Sequence, residues 1–324
     1  MTEARPILLT CGEPAGIGPE LAPKALAADV PFVFLGDPRH LPEGTDWSEV
    51  SDLGDKVPPG VLPVLRHDFP APARPGIPDP ANAPAVIEVI ARAVGLAMSG
   101  AAGGICTLPI NKEALKRGAG FAFPGHTEYL AHLAGDVPVV MMLASTTVEP
   151  PCRVVPVTIH IALSEVPAAL TPKSLTQAIR ITDAAMRRDF GIKQPRLAIA
   201  GLNPHAGENG VMGDEEMRWI APLIEQLRRE EGLDLRGPLP ADTMFHPSAR
   251  ARYDAALCAY HDQALIPIKT LDFAGGVNVT LGLPFVRTSP DHGTAFDIAG
   301  QGIADAASVI AALRMAWDMA GRRK

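Results

Sequence analysis

The chain has 324 residues, a length that suits two domains or one large α/β unit. Hydrophobic residues make up 47% of the chain and charged residues 20%, which is ordinary for a globular protein. The net charge of −7 argues against a nucleic-acid-binding surface, although a few local cations can still hold a small anion.

The N-terminal segment, the apolar runs and the cysteines indicate the cellular compartment of the chain. No apolar run approaches ~18 residues, so we expect no transmembrane helix and no membrane partner. The apolar stretch in MTEARPILLTCGEPAG is too short for a signal peptide. The four cysteines lack CxxC spacing and lie in or beside apolar runs, so we interpret them as buried free thiols in a reducing cytoplasm.

The first half of the chain alternates strands and helices. PILLT predicts a strand, GEPAGIGP the loop after it, and ELAPKALA a helix; PFVFLGD predicts a second strand. Residues 37–83 are rich in Pro, Asp and Gly and are predicted to be irregular. A helix with apolar residues at helical spacing follows and ends at Gly100. The remaining elements are a strand in GGICTLP and short helices in NKEALKRG and TEYLAHLAG.

The second half continues the alternation. Two strands, VPVVMMLAS and RVVPVTIH, are predicted to form a hairpin, and a long helix covers about 171–190. The later predicted elements are a strand in PRLAIAG, a helix in DEEMRWIAPLIEQLRREEG, a strand in AALCAY, a helix in DQALIPIKTL, a long strand with a glycine interruption in GVNVTLGLPFVRTS and a final helix in ADAASVIAALRMAWDMAG. This order predicts a mostly parallel sheet with helices on both faces.

Three histidines follow predicted strands: His160, His205 and His261. Ligands of open α/β sheets bind beyond the carboxyl ends of the strands, so these side chains are candidate ligands. Three imidazoles can hold a divalent ion and leave positions open for a substrate. Asp242 and Asp262 can add a carboxylate or act as bases. For each histidine taken alone, a structural role is the alternative.

Two further groups of residues suit an anionic ligand. Lys269, Asn278 and Arg287 are polar within apolar stretches, and Arg and Lys suit phosphate or carboxylate; solvated side chains are the alternative. The loop SPDHGTAFDIAGQGIAD can wrap a ligand with its backbone or merely cap a helix. GEPAGIGPE lacks the GxGxxG order, which leaves a tight strand-to-helix turn as an alternative to a phosphate loop.

Five motifs, taken together, resemble the 4-hydroxythreonine-4-phosphate dehydrogenase family of pyridoxal phosphate biosynthesis over essentially the whole chain. They are GEPAGIGPE, PGHTEYLA, GLNPHAGENGVMGDEE, AYHDQALIPIK and RTSPDHGTAFDIAGQG, in this order. The stretch DHGTAFDIAG also resembles the cofactor loop of isopropylmalate and isocitrate dehydrogenases. The resemblance implies two α/β/α lobes with a cleft. Residues 1–129 with 281–324 would form the cofactor-side lobe, and residues 130–280 the metal-binding and dimerisation lobe.

The resemblance also implies roles for individual residues. The implied metal ligands are His160, His205 and His261. The implied substrate-binding set is His126, Thr127, Lys269, Asn278 and Arg287. The implied catalytic residues are Asp242, Asp262 and Lys269. The implied cofactor-binding residues are Gly12, Glu13, Asp291, His292, Gly293, Thr294 and Asp297. The cofactors would be NAD or NADP and a divalent ion (Zn, Mg or Co), in a homodimer whose active site lies at the subunit interface.

The implied activity is oxidation of the C3 hydroxyl of 4-phosphohydroxy-L-threonine, followed by decarboxylation to 3-amino-2-oxopropyl phosphate. TLPINKEAL resembles equally well a sister group that oxidises 4-phospho-D-threonate or 4-phospho-erythronate. The two kinds of substrate differ mainly at C2, which carries an amine in one and a hydroxyl in the other. A phosphate acyltransferase of similar architecture is a further alternative, and it would need neither the imidazoles nor the nicotinamide loop.

Overall fold

The computed structural model describes residues 5–323. The predictions on the N-terminal segment and on the lobe ends also include the first four residues and Lys324, which lie outside the described residues. The chain divides into two units, Met1–Val139 with Leu283–Lys324 and Val140–Gly282. A division at 129/130 would fall inside the helix His126–Leu133, which packs against the helix Ala83–Met98 of the first unit.

The strands, in chain order, are β1 (Ile7–Thr10), β2 (Phe32–Gly36), β3 (Trp47–Glu49), β4 (Leu62–Arg66), β5 (Gly104–Thr107), β6 (Val140–Ser145), β7 (Cys152–Thr158), β8 (Arg196–Ala200), β9 (Asp234–Leu239), β10 (Ala255–Tyr260), β11 (Val277–Leu281) and β12 (Val286–Pro290). The helices are α1 (Gly18–Lys24), α2 (Ala83–Met98), α3 (Lys112–Ala119), α4 (His126–Leu133), α5 (Val166–Ala169), α6 (Pro172–Arg188), α7 (Ala221–Glu231), α8 (Pro247–Arg250), α9 (His261–Leu271) and α10 (Ala307–Arg322). The predicted α/β class is confirmed.

The strands of the first unit are all parallel and lie in the order β3-β4-β2-β1-β5-β12. β1, β2, β5 and β12 are buried along their whole length, as expected for parallel strands covered by helices on both faces. Because the strands are parallel, the loops that follow β1, β5 and β12 leave the sheet at the same edge.

The second unit has the strand order β11-β6-β7-β10-β8-β9. β11 and β6 pair antiparallel, and so do β6 and β7, which confirms the predicted hairpin. From β7 to β9 the pairing is parallel, so the loops after β7, β10, β8 and β9 share one edge. Apolar side chains from these strands and from α9 form the core of this unit.

Three expectations about the elements were wrong. The region 37–83 contains β3 and β4, which are short strands set between turns rich in Pro and Gly. The edge strand β9 was missed because Gly237 and Pro238 interrupt its pattern. The predicted long strand near the carboxyl end is two strands, because Gly282 has a φ of 95° and Pro284 follows it.

One helical stretch, Pro80–Met98, is long and apolar enough to cross a membrane by length and composition, contrary to expectation. Half of this stretch is buried, and α2 packs against β1, β2 and β5 of the first unit. A core helix passes the same test of length and composition, so this stretch is weak evidence for a membrane span.

The buried carboxylate of Asp37 ties the end of β2 to the segment after β4. Its two oxygens accept hydrogen bonds from the backbone N–H of Phe69 (2.9 Å) and from the Arg39 side chain (2.6–3.1 Å). Burial alone would raise the pKa of Asp37, but these hydrogen bonds outweigh it and lower the pKa to about 2.

We predict that Asp37→Asn lowers the free energy of unfolding at pH 7 by ~1–3 kcal/mol, because an amide cannot accept all of these bonds. A depressed pKa stabilises the fold above the unfolded-state value of 3.8, and this stabilisation is lost as the pH falls toward about 2. The difference between parent and variant, measured by urea unfolding, should therefore shrink across this range.

The control is Asp68→Asn, because Asp68 forms a more exposed ion pair with Arg66 and its loss should cost at most ~1 kcal/mol. A stability difference for Asp37→Asn that stays constant from pH 7 to pH 2 would contradict the assigned role.

Candidate functional site

The edge at which β7, β10 and β8 end carries the three candidate metal ligands. β10 pairs with β7 so that Tyr260 lies opposite Thr158, and the other side of β10 pairs with β8. His160 follows β7, His261 follows β10 directly, and His205 follows β8 after a short loop. The three histidines therefore leave three adjacent strands at one edge.

His160 and His261 come together at this edge. Their ring centroids are 5.8 Å apart, and both line a cavity of about 280 Å³ together with Tyr260 and Asp262. Leu163 and Val166 form part of the apolar wall of the same cavity.

A carboxylate orients the His261 ring. Nδ1 of His261 lies 2.7 Å from Oδ1 of Asp262. Because a carboxylate can only accept, the Nδ1–H group donates this hydrogen bond. In a neutral ring with this hydrogen bond the lone pair resides on Nε2, which is the arrangement that carboxylates impose on metal-binding histidines.

Two of the three histidines have strained backbones. The φ angles of His160 and His205 are 54° and 52°, in the left-handed region that few residues other than glycine adopt. Such strain costs ~1–3 kcal/mol per residue and is concentrated at functional sites. The strain sets these two residues apart from a routine surface histidine.

His205 and Asp242 do not line the cavity that holds His160 and His261. His205 lies in the turn Pro204–Gly207, which packs against the turn Ala241–Thr243 that carries Asp242. Within residues 5–323, no three His, Cys, Asp or Glu side chains lie close enough together to hold a metal ion. The structure therefore brings together His160, His261 and Asp262 of the predicted set, with His205 and Asp242 at the same edge but outside the cavity.

The donor set fits a divalent ion in its chemistry. His261 presents Nε2 as its acceptor atom, and His160 adds a second imidazole across the same cavity. His205, whose backbone is strained, lies at the same edge but outside this cavity.

A buried arginine lies on β12 in the first unit. Arg287 is 3% exposed and donates hydrogen bonds from Nε and Nη2 to Oγ1 of Thr107, at 3.2 and 2.7 Å. Burial lowers the pKa of Arg287 to about 10, which still leaves a guanidinium cation at neutral pH. A charge buried this deeply is costly unless a counter-charge meets it, and the carboxylate of Glu128 is one charge that favours the cation.

His126, the first residue of α4, lies near this cation. Its Nε2 is buried and lacks a hydrogen-bond partner among the described residues. Burial lowers its pKa well below the usual value, and the charges of Arg287 and Lys112 lower it further. A partnerless imidazole nitrogen that feels the charges of two cations is suited to binding an anion, and Thr127 follows it in α4.

Sequence reasoning gave no role to Lys112. This residue starts α3, whose N-cap Asn111 accepts a 2.7 Å hydrogen bond from the backbone N–H of Ala114. A Cβ placed on Gly125, the residue before His126, would lie 3.5 Å from Nζ of Lys112. The one available signal was the position of Lys112 shortly after β5, at the edge where ligands bind.

Lys269 and Asn278, the other predicted substrate residues, belong to the second unit. Nζ of Lys269 lies 5.3 Å from the ring centroid of Phe273. Asn278 is on β11, and its Oδ1 is buried without a hydrogen-bond partner in the described part of the chain. A buried acceptor without a partner is unusual among polar side chains.

The predicted cofactor loops of the first unit meet each other. Gly12 has a φ of 67°, and a Cβ there would lie 2.4 Å from the carbonyl oxygen of Pro109. Glu13 is buried, which raises its pKa. The backbone N–H of Ile17 donates a 3.0 Å hydrogen bond to the carbonyl of Thr294. The loop after β1 thus contacts the loop after β12.

Helix α1 holds the loop after β12 in place. The buried carboxylate of Glu20 accepts backbone N–H bonds from residues 300, 302 and 304, and Nζ of Lys24 donates to the carbonyls of residues 302 and 304. Nε2 of His292 is buried and has no partner among residues 5–323. Asp291, Gly293 and Asp297 lie in the same loop and are partly or fully exposed. Sequence reasoning missed the anchoring roles of Glu20 and Lys24.

Comparisons with known proteins agree over the whole chain. A family model described as pyridoxal phosphate biosynthetic protein PdxA matches residues 29–316. A 4-hydroxythreonine-4-phosphate dehydrogenase of Paracoccus denitrificans (strain Pd 1222) is 89% identical over 323 residues and covers 100% of both chains. The protein of that name from Roseobacter denitrificans is 60% identical and covers 98% of each chain.

A solved structure agrees as well. The crystal structure of 4-hydroxythreonine-4-phosphate dehydrogenase from Klebsiella pneumoniae has a TM-score of 0.88 at 37% identity, and the match covers 98% of this chain and 99% of that chain. Since the family model and the relatives span most of its length, the chain belongs to the family of the pyridoxal phosphate biosynthetic protein PdxA.

Proposed function

We propose that the chain oxidises the C3 hydroxyl of 4-phosphohydroxy-L-threonine with a nicotinamide cofactor and releases CO₂, giving 3-amino-2-oxopropyl phosphate. The relatives at 89% and 60% identity carry the name of this dehydrogenase. The observation that carries the proposal is the buried cation Arg287 with the partnerless Nε2 of His126 and with Lys112 nearby, because this group is suited to a doubly charged phosphate.

In this proposal the phosphate of the substrate binds Arg287, Lys112 and His126, with Thr127 as a further hydrogen-bond donor. Lys269 and Asn278 complete the substrate-binding set. The phosphate is remote from the bonds that react, so its binding energy serves to position C3. The low pKa of His126 keeps the imidazole neutral, so that its N–H can donate without a protonation step.

His160, His205 and His261 would hold the divalent ion, and Zn, Mg and Co remain the candidates. When bound, such an ion supplies Lewis-acid polarisation of a substrate oxygen. Asp262 orients the His261 ring through Nδ1. With Asp262 engaged in that way, Lys269 and Asp242 are the groups that can take the proton of the C3 hydroxyl.

Gly12 and Glu13 after β1 and residues 291–297 after β12 would hold the cofactor, which would supply an acceptor for the hydride of C3. The loop DHGTAFDIAGQG has two carboxylates and no Lys or Arg, which favours the free ribose hydroxyls of NAD over the 2′-phosphate of NADP. Oxidation leaves a ketone β to the carboxylate. The carboxylate departs as CO₂, the electron pair of the broken C–C bond enters the ketone, and a proton is added to the carbon.

We also propose a cytoplasmic homodimer with active sites at the subunit interface. Support comes from large apolar side chains that are exposed in the second unit around the candidate metal ligands. Leu163 is 68% exposed, Val211 79% and Met217 51%. Large exposed apolar groups of this kind are typical of surfaces that another protein covers.

Arg287→Lys should lower kcat/KM for the phosphorylated substrate by about 10–100-fold, because a lysine cannot reproduce the bidentate guanidinium bonds to phosphate. The dephosphorylated substrate should already be poor and should change little. Steady-state kinetics of cofactor reduction on both substrates provide the measurement. Arg250→Lys is the matched control, since Arg250 is equally buried but lies in α8. Equal losses on both substrates would show that Arg287 serves the fold or the carboxylate instead.

The C2 group separates the proposed substrate from that of the sister group. Purified protein with Co²⁺ and NAD should turn over 4-phosphohydroxy-L-threonine with a kcat/KM at least ~10-fold above those for 4-phospho-D-threonate and 4-phospho-erythronate, a modest discrimination for a polar contact. Cofactor reduction is followed by its near-ultraviolet absorbance, and CO₂ release is measured in parallel. A preference for either hydroxy acid would move the chain to the sister function, and no cofactor reduction with any of the three would remove the dehydrogenase activity altogether.

A further inference from the structure

The loop that carries His205 has an unusual backbone. Six consecutive residues have positive φ angles, and four of them are not glycine: His205 (52°), Ala206 (51°), Gly207 (78°), Glu208 (41°), Asn209 (55°) and Gly210 (90°). L-residues normally visit this left-handed region singly, so a run of this length must be held by its surroundings.

The carboxylate of Glu216 lies directly against this loop. Glu216 is 2% exposed, and its Oε1 accepts a 2.8 Å hydrogen bond from the backbone N–H of Asn203. A Cβ placed on Gly207 would lie 2.7 Å from Oε2 of Glu216, and one placed on Gly201 would lie 3.1 Å from Oε1. The carboxylate therefore fills the space beneath the loop on both sides of His205.

The side chain of Asn203 fixes the orientation of the same carboxylate. Nδ2 of Asn203 donates to Oε2 of Glu216 at 3.0 Å and to Oε2 of Glu215 at 2.7 Å. Gly213 closes the loop over this amide, since a Cβ there would lie 2.4 Å from Nδ2. Both hydrogens of the Asn203 amide thus form hydrogen bonds, and a flip of the amide would break both bonds.

Glu216 is an expensive residue to bury at this position. Within residues 5–323 no lysine, arginine or histidine forms an ion pair with it, and its carboxylate accepts hydrogen bonds from the backbone and side-chain N–H groups of Asn203. It also begins the π-helical turn Glu216–Ile220, a rare element that is often found at functional sites. A buried, cation-free carboxylate gives less stability than an apolar group of the same size, which points to a role beyond packing.

The start of this loop is also joined to the helix that carries His261. Nε2 of Gln263 donates to the carbonyl of Gly201 at 2.9 Å, and its Oε1 accepts the backbone N–H of Ala259 at 2.7 Å. Gln263 thus links the end of β10 to the end of β8, and it sets the spacing between the His261 helix and the base of the His205 loop.

We propose that Glu216 is a positioning residue for metal binding. Its carboxylate binds Asn203 and packs beneath Gly207, and these contacts hold the left-handed loop that carries His205. The loop in turn presents the His205 imidazole toward the edge of His160 and His261. This inference rests on the proposed metal site. Groups that orient metal ligands typically contribute about 10–100-fold to metal affinity.

The test is the affinity of the metal-free protein for Zn²⁺ and Co²⁺, measured by isothermal titration calorimetry. Glu216→Gln keeps the size of the side chain but turns one acceptor into a donor that faces Asn203. It should weaken binding of both ions by about 10–100-fold. Glu215→Gln, at the neighbouring and more exposed carboxylate, is the matched control and should change the affinity less than ~3-fold, because Glu216 still holds the amide.

A second readout separates positioning from loss of fold. The circular dichroism spectrum of Glu216→Gln should match that of the parent, and its kcat should recover as the metal concentration is raised above the weakened Kd. If Glu216→Gln does not fold, Glu216→Asp takes its place, since it keeps the charge but withdraws the carboxylate from Gly207. Its loss of affinity should exceed that of Glu215→Asp.

The outcomes distinguish the two proposals. If His205→Ala weakens metal binding but Glu216→Gln does not, the positioning role is wrong and the metal site stands. If the parent binds neither ion, or His205→Ala binds both as tightly as the parent, the metal site itself is wrong and the positioning role falls with it. A low kcat of Glu216→Gln that saturating metal does not restore would also overturn the positioning role.

Discussion

The parallel pairing of β7, β10 and β8 is the constraint on which the second unit depends. It brings the loops after three separate strands to one edge, where His160 and His261 approach within 5.8 Å between ring centroids. The two histidines are far apart in the sequence, and the pairing of the strands brings them close together. A change in the register of any of these strands by one residue would turn the residues at the strand ends to the opposite face.

In the first unit, the corresponding constraint is electrostatic. A guanidinium that is 3% exposed is costly to bury, and the hydroxyl of Thr107 and the negative charge of Glu128 are among the groups that stabilise it. The unit brings a buried cation and a neutral imidazole to the edge where the strands end. A chain with a net charge of −7 can therefore hold a doubly negative ligand, because the local charge and the burial of the site determine binding more than the net charge does.

Much of the fold could be predicted from patterns within single elements. Helical periodicity indicated α2, and apolar runs indicated most of the parallel strands. The pattern failed for β9, where Gly237 and Pro238 break the run of strand-forming residues.

The candidate site was predictable only in part. Histidines after strands were visible from the sequence, since strand ends are where α/β proteins bind ligands. The contacts that fix the loops were not, because they join distant residues: Glu20 binds the backbone of residue 300, and Gln263 binds that of Gly201. No local pattern revealed that His205 has a positive φ or that its loop lies on a buried glutamate.

The measurement that tests the three-histidine site most directly is zinc K-edge X-ray absorption on the protein loaded with one equivalent of Zn²⁺. A three-histidine site should give three imidazole nitrogens at ~2.0–2.1 Å in the parent and two in His205→Ala. Coordination by oxygen alone, or the same nitrogen count in both proteins, would contradict it.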